Sequence, residues 1–131
     1  MTLEWATYLE VTSRPADDSE APMFLLGWGT VTGDADYGLF ALLHSSEWVP
    51  SGSNRPFYKN ERVDELLDMA RTTPDPDARL AAYKEAMEII MEDAPWLYLH
   101  AETQLTAIRA EVEGVIVHPT ERILAHNARF R

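Results

Sequence analysis

The sequence predicts an α/β protein, and three observations point to it. Short, continuously apolar runs bounded by glycine or proline alternate with stretches of helical periodicity. Two of those helical stretches open on clear capping signals. The chain has 131 residues, 46% hydrophobic and 25% charged, enough to bury a core and consistent with one domain or one piece of a larger one.

Taken in order, Leu3, Ala6, Tyr8 and Leu9 fall near one helical face and predict a short helix over about residues 4–11. Residues 13–20, polar and carrying Pro15, read as a surface loop. Met23 to Trp28 is a short apolar run ended by glycines, the pattern of a strand buried on both faces. A glycine-rich loop leaves it, and Asp34 or Asp36 is placed to cap a helix from Tyr37 to His44. Residues 45–58 form a long connection broken by Pro50, Gly52 and Pro56, a length that is usually functional or mobile. Asn60 caps the next helix, whose Val63, Leu66, Leu67 and Ala70 recur at i, i+3, i+4 and i+7. Asp75-Pro76 starts another, with proline where its missing N–H costs nothing. Leu80, Tyr83, Met87, Ile90 and Ala94 define its expected inner face, and Pro95 ends it. Trp96 to His100, the surroundings of Leu105 and Ala107, and Val115 to Val117 read as further strands.

Composition removes several classes of function. Asp and Glu number 22 against 11 for Lys and Arg, a formal charge of −11. That field repels phosphate backbones and anionic lipid surfaces, so neither nucleic acid nor a membrane is an expected partner. The longest uncharged stretch, Ala21 to Gly33, carries Pro22 and three glycines and is too short to span a bilayer. Without cysteine there is neither a disulfide nor a thiolate metal site.

The residues that carry chemistry are few. Asp34 and Asp36 form a carboxylate pair beside the glycine-rich loop, but the offsets of a calcium loop hold Leu39 and Ser45. Helix capping is the simpler role for the pair. The histidines at 44, 100, 118 and 126 are dispersed, and serines 45, 46, 51 and 53 lack a nucleophile elbow. Glycines 27, 29 and 33 do not match a phosphate-binding loop. No catalytic residue, metal ligand or cofactor is therefore expected. Trp28, between two glycines at the end of a predicted strand, is either a core residue or a wall where open α/β sheets bind ligands.

The order of the remaining pieces resembles a known family. Gly27-Trp28, a glycine-rich loop and Asp34-Ala35-Asp36 come first. Asn54, Phe57-Tyr58-x-Asn60-x-x-Val63-Asp64-x-Leu66-Leu67 come next, then Thr73-Pro74-Asp75, Arg79, Tyr83-Lys84-x-Ala86, Ile89-Ile90 and Ala94-Pro95-Trp96. Together they resemble the peptide and nickel class of extracellular solute-binding proteins, the receptors of ABC importers, over about residues 3–120. With Trp48-Val49-Pro50 added, the pattern looks closest to the glutathione-binding receptors, and next to the dipeptide receptors.

The resemblance implies a partial lobe of a two-lobe, periplasmic-binding-protein-like fold of class II. Residues 1–114 would form part of the second, C-terminal ligand-binding lobe, and residues 115–131 a segment returning toward the first. The chain would be an excised fragment of a secreted parent, periplasmic or extracellular, with no signal peptide of its own. The returning segment would have lost its partner and stay mobile, or order only against a neighbouring copy. In peptide-binding relatives an aspartate three places after the tryptophan pairs with the ligand's amino group. That place is Val31, which cannot, and Asp34 holds the other acidic place in the motif.

The leading expectation is a binding protein for a small-molecule or peptide-like ligand, working by lobe closure and delivering to membrane permease subunits. Trp28, Gly29, Thr30, Val31, Thr32 and Asp34 are the candidate ligand neighbours. Two rivals stay open: a small acidic hydrolase or lyase using Asp34 and Asp36, and an acidic protein-interaction module. Self-association of the fragment is a further alternative.

Overall fold

In the computed structural model, which describes residues 2–131, Glu4 opens the first helix, α1 (Trp5–Thr12), by accepting from the amides of Ala6 and Thr7. Tyr8 on this helix donates its hydroxyl to the Leu25 carbonyl. A short 3-10 turn, Ala16–Asp18, lies within the predicted loop. Asp34 caps α2 (Ala35–Leu43), its carboxylate accepting from the Asp36 amide at 2.9 Å. This helix starts two residues earlier than its apolar pattern predicts, because the cap and not the first apolar residue sets the start.

Asn60 caps α3 (Glu61–Thr72), accepting from Arg62 and Val63. Its predicted face is the observed one: Val63, Leu66, Leu67 and Ala70 are all buried. Asp75 caps α4 (Pro76–Asp93), with Pro76 in the first turn, and Ala94 ends it in the left-handed conformation just before Pro95. With only residues 73–75 between them, α3 and α4 form a helical hairpin. Its open end is tied where the Tyr58 hydroxyl and the Asn60 amide both donate to Asp93 Oδ2, at 2.6 and 2.8 Å.

The inner face of α4 differs from expectation. Ala82, Tyr83, Ala86 and Ile90 are buried, whereas Leu80 is 68% exposed and Met87 45%. The two alanines lie against α3, where small side chains let the helices approach. Leu80 and Met87 lie off that face and stay exposed. The core is thus helical, built from α2, α3 and α4 with Tyr58 and Trp96 packed on its margin. Burying a side chain such as Leu66 or Leu67 contributes about 1.5–3 kcal/mol.

The long connection is held in place. A 3-10 turn at Ser45–Glu47 and an isolated bridge between Trp48 and Asn54 shape it. Asn54, fully buried, donates to the carbonyls of His44 and Tyr58 and accepts from the Tyr58 amide.

The strands depart most from expectation. Residues 23–28, 96–100 and 105–107 form no strand; Met23 is 89% exposed. A strand needs an extended neighbour for its backbone groups, and none of the described residues pairs with these segments as a strand. Four two-residue strands lie near the C-terminus: β1 (Val112–Glu113), β2 (Ile116–Val117), which falls within the predicted Val115–Val117, β3 (Ile123–Leu124) and β4 (Arg129–Phe130). They nest, β2 antiparallel to β3 and β1 antiparallel to β4. The expectation of an unpaired tail is therefore corrected: within residues 115–131 β2 pairs with β3 across their turn, and β4 pairs with Val112–Glu113 just before that segment. Its side chains gain little cover, and Phe130 stays 81% exposed. The fold is mixed helix and small sheets, consistent with part of an α/β protein. Among the described residues no helix is long and apolar enough to cross a membrane.

Candidate functional site

The glycine-rich loop folds as a tight turn. The Val31 amide donates to the Gly29 carbonyl at 3.0 Å and the Gly33 amide to the Thr30 carbonyl at 2.8 Å. Gly33 has φ of +71°, a conformation that favours glycine. Thr32 Oγ1 accepts from the Asp34 amide at 3.2 Å, joining the turn to the cap of α2. Trp28, 36% exposed, stacks on Tyr37 of α2 with ring centroids 5.3 Å apart. This placement is neither a buried core nor a free wall: one ring face rests on the helix. Val31 is 38% exposed and bears no charge toward the turn.

Beside the turn lies a shallow depression of about 250 Å³, lined by Thr32, Asp34, Asp36, Tyr37, Arg71 and Arg79. Here α2, the end of α3 and the start of α4 meet. Arg79 reaches back to the cap: Nη2 and Nη1 lie 2.7 and 3.2 Å from the two Asp34 oxygens. Arg79 Nη2 also donates to the Tyr83 hydroxyl at 3.1 Å, and Nε to the Ala70 carbonyl at 3.0 Å. Hydrogen bonds from Arg79 and then from the Asp36 amide hold the Asp34 carboxyl below the usual carboxylate range. Arg71 is engaged differently. Its Nε stands 3.1 Å from Asp36 Oδ1, and its guanidinium lies over the Phe40 ring at 3.8 Å.

The structure thus brings Trp28, Thr32 and Asp34 to one surface with Gly29, Thr30 and Val31 in the turn between them. It gives Asp34 the capping role that its sequence position predicts and adds an ion pair. Three neighbours escape a reading of the sequence. Tyr37 reads only as a helix residue, and Arg71 carries no motif. Glu121, at the tip between β2 and β3, comes close enough that a Cβ at Gly29 would lie 2.8 Å from its Oε2. A signal exists for the arginines: in so acidic a chain, two of them flank the short connection between α3 and α4.

The histidines do not assemble. His44 is buried and packs on Phe40; its Nδ1 accepts from the Ser46 amide at 3.1 Å, while Nε2 lies 3.8 and 3.7 Å from Asp64 and Asp68 Oδ1. Among the described residues, no group of three His, Asp or Glu could hold a metal ion.

No family model matches the chain. Curated relatives do. The glutathione-binding protein GsiB of Escherichia coli (strain K12) is 36% identical over 110 residues, 84% of this chain and 22% of that protein. The proteins of the same name from Salmonella typhimurium and Shigella dysenteriae serotype 1 match with the same identity and coverage. The chain spans 22% of the length of these relatives. Over most of its residues it is therefore similar to receptors of the class that its motifs resemble.

Proposed function

We propose that the chain is part of the substrate-binding component of an ABC importer, capturing a peptide-like or other small polar solute without chemical change. The observation that carries this reading is the 36% identity over 84% of the chain to glutathione-binding proteins. Residues 1–114 belong to the second ligand-binding lobe and residues 115–131 to a segment directed toward the first. Closure of the two lobes encloses the solute, and the closed receptor passes it to permease subunits from the periplasmic or extracellular side.

In this reading the exposed face of Trp28 is an apolar wall. The backbone and hydroxyls of Gly29, Thr30 and Thr32 supply hydrogen bonds, and Val31 and Asp34 flank them. The Asp34–Asp36 hydrolase is less well supported. A general acid needs a carboxyl raised toward neutrality, and Arg79 acts on Asp34 in the opposite sense.

An amide NMR titration with reduced glutathione and with dipeptides tests the proposal. One lobe supplies only part of a pocket that typically buries about 70–90% of its ligand, so affinity near millimolar is expected. Shifts should centre on residues 28–32 and shrink in Trp28→Ala. Shifts confined to the exposed faces of α4, or none at saturation, would count against it.

A further inference from the structure

Arg79 and Arg71 line the same depression, yet they differ in what they have left to offer. Arg79 spends Nε, Nη1 and Nη2 on Ala70, Asp34 and Tyr83. Arg71 spends only the Nε side, beside Asp36 Oδ1 at 3.1 Å. Among the described residues its two terminal nitrogens have no hydrogen-bond partner, although stacking on Phe40 holds the guanidinium plane in place. A guanidinium with one free edge and a fixed plane is matched to a carboxylate, which it can grip through two parallel bonds.

Asp36 supplies the opposite charge at the same spot. Its Oδ1 is shut off from solvent without a hydrogen bond, close to Arg71 but out of line for one. The side chain as a whole remains partly exposed. The accessible part of the carboxylate is therefore Oδ2, which has no partner among the described residues. Two further donors border the space. Thr32 Oγ1 accepts from Asp34 and keeps its own proton to give, and the Tyr37 hydroxyl likewise has no partner among the described residues. With Asp34 already neutralised by Arg79, a simple anion would gain from Arg71 and lose to Asp36. A group carrying both charges on neighbouring atoms gains from both.

We propose, resting on the reading of the Trp28 turn as ligand-facing, that this depression is a subsite for the head group of an α-amino acid. The ligand's carboxylate takes the free edge of Arg71, with Thr32 and Tyr37 as further donors, and its ammonium takes Asp36 Oδ2. Binding leaves the Arg79–Asp34 pair in place, so the support of α2 is undisturbed. The subsite places the charged end of the ligand beyond Thr32, while Trp28 faces the rest of the ligand.

The test titrates the chain with L-glutamate, N-acetyl-L-glutamate and L-glutamate α-methyl ester, following the Arg71 Nε–H signal and the amides of Thr32, Asp36 and Tyr37. L-Glutamate should shift all four. Blocking either charge should weaken binding by about tenfold, the scale of one charge-assisted contact. Arg71→Lys, which keeps the charge but not the fork, should weaken it by a similar factor. Equal binding of the three compounds, shifts that spare Arg71, or no shift at millimolar L-glutamate would overturn the subsite. If glutathione still shifts residues 28–32 in that case, the ligand-facing turn stands and the subsite alone fails. If L-glutamate shifts Arg71 while the Trp28 turn stays silent toward every peptide, the subsite stands and the turn's role fails.

Discussion

Arg79 grips Asp34 through two nitrogens, at 2.7 and 3.2 Å, while the same carboxylate caps α2. One side chain therefore fixes the start of α2, the start of α4 and the end of the glycine-rich turn. The arginine lies 45 residues along the chain, so the pair closes a long loop on one point. Its position beside the candidate ligand surface makes it a support for that surface.

The pair predicts a definite acid response. Asp34 has its carboxyl held below the ordinary value of 3.8 in the folded chain. The group's contribution to stability is complete above that value and is lost as the pH falls through the lower, folded one. Asp34→Asn keeps an N-cap but removes the charge. Urea unfolding across a pH series should show wild type ahead of Asp34→Asn near neutrality, with the gap closing below pH 3.8. Asp34→Ala loses the cap as well and should cost about 0.5–2 kcal/mol more, at low pH too. A gap that stays constant into strong acid would show that the ion pair contributes nothing.

The phase of α4 is testable by contrast. Ile90→Ala should cost about 2–5 kcal/mol, because it empties a site that is only 2% exposed. Met87→Ala, on the open face, should stay within about 0.5 kcal/mol. Ala86→Leu should cost about 1–3 kcal/mol, since it wedges α4 from α3. Denaturant midpoints at constant slope give all three. Equal losses at 87 and 90 would mean that the face is wrongly placed.

How much of the molecule is legible in the sequence depends on the range of the forces involved. Capping is local, so Asp34, Asn60 and Asp75 can be read from three or four residues each. The face of α3 is legible because four apolar residues there have one consistent period. On α4 two apolar stripes compete, Leu80 with Met87 and Tyr83 with Ile90. Hydrophobicity cannot rank them, because the choice depends on Ala82 and Ala86 fitting against α3. The strands fail for a related reason. Apolarity marks Met23 to Trp28 as able to pair, while pairing itself depends on a neighbour elsewhere. At the candidate site, Trp28 and its turn stand out by local pattern. Arg71 and Tyr37 reach the same depression only through helix packing, which no spacing rule encodes.

Asn54 should prove the main fastener of the long connection. Its amide donates to two carbonyls and its oxygen accepts one amide, all with the side chain fully buried. Asn54→Ala leaves these backbone groups unsatisfied and should cost about 1–3 kcal/mol. Asn54→Asp should be no better, because an ionised carboxylate cannot donate to the two carbonyls. Faster hydrogen exchange at Tyr58 in Asn54→Ala, which loses the acceptor for that amide, would locate the loss. Unchanged protection there would show that the Trp48–Asn54 bridge holds the loop without the side chain.

The last prediction concerns the tip between β2 and β3, which leans on the candidate turn. Glu121 has φ of +63°, a left-handed conformation that costs an ordinary residue about 1–2 kcal/mol. Glycine relieves that strain but gives back about 0.5–1 kcal/mol in chain entropy. Glu121→Gly should therefore be neutral to slightly stabilising. Gly29→Ala places a Cβ 2.8 Å from Glu121 Oε2, a clash that the carboxylate, at the far end of a flexible side chain, relieves by swinging off the turn. The contact between the tip and the turn is then lost, and amides of residues 116–124 should exchange faster. In the Glu121→Gly background the same Gly29→Ala change meets no carboxylate and should leave exchange unaltered. Such non-additivity is the mark of direct contact. Equal effects of Gly29→Ala in both backgrounds would mean that the hairpin and the Trp28 turn are independent, and that Glu121 has no place beside a bound ligand.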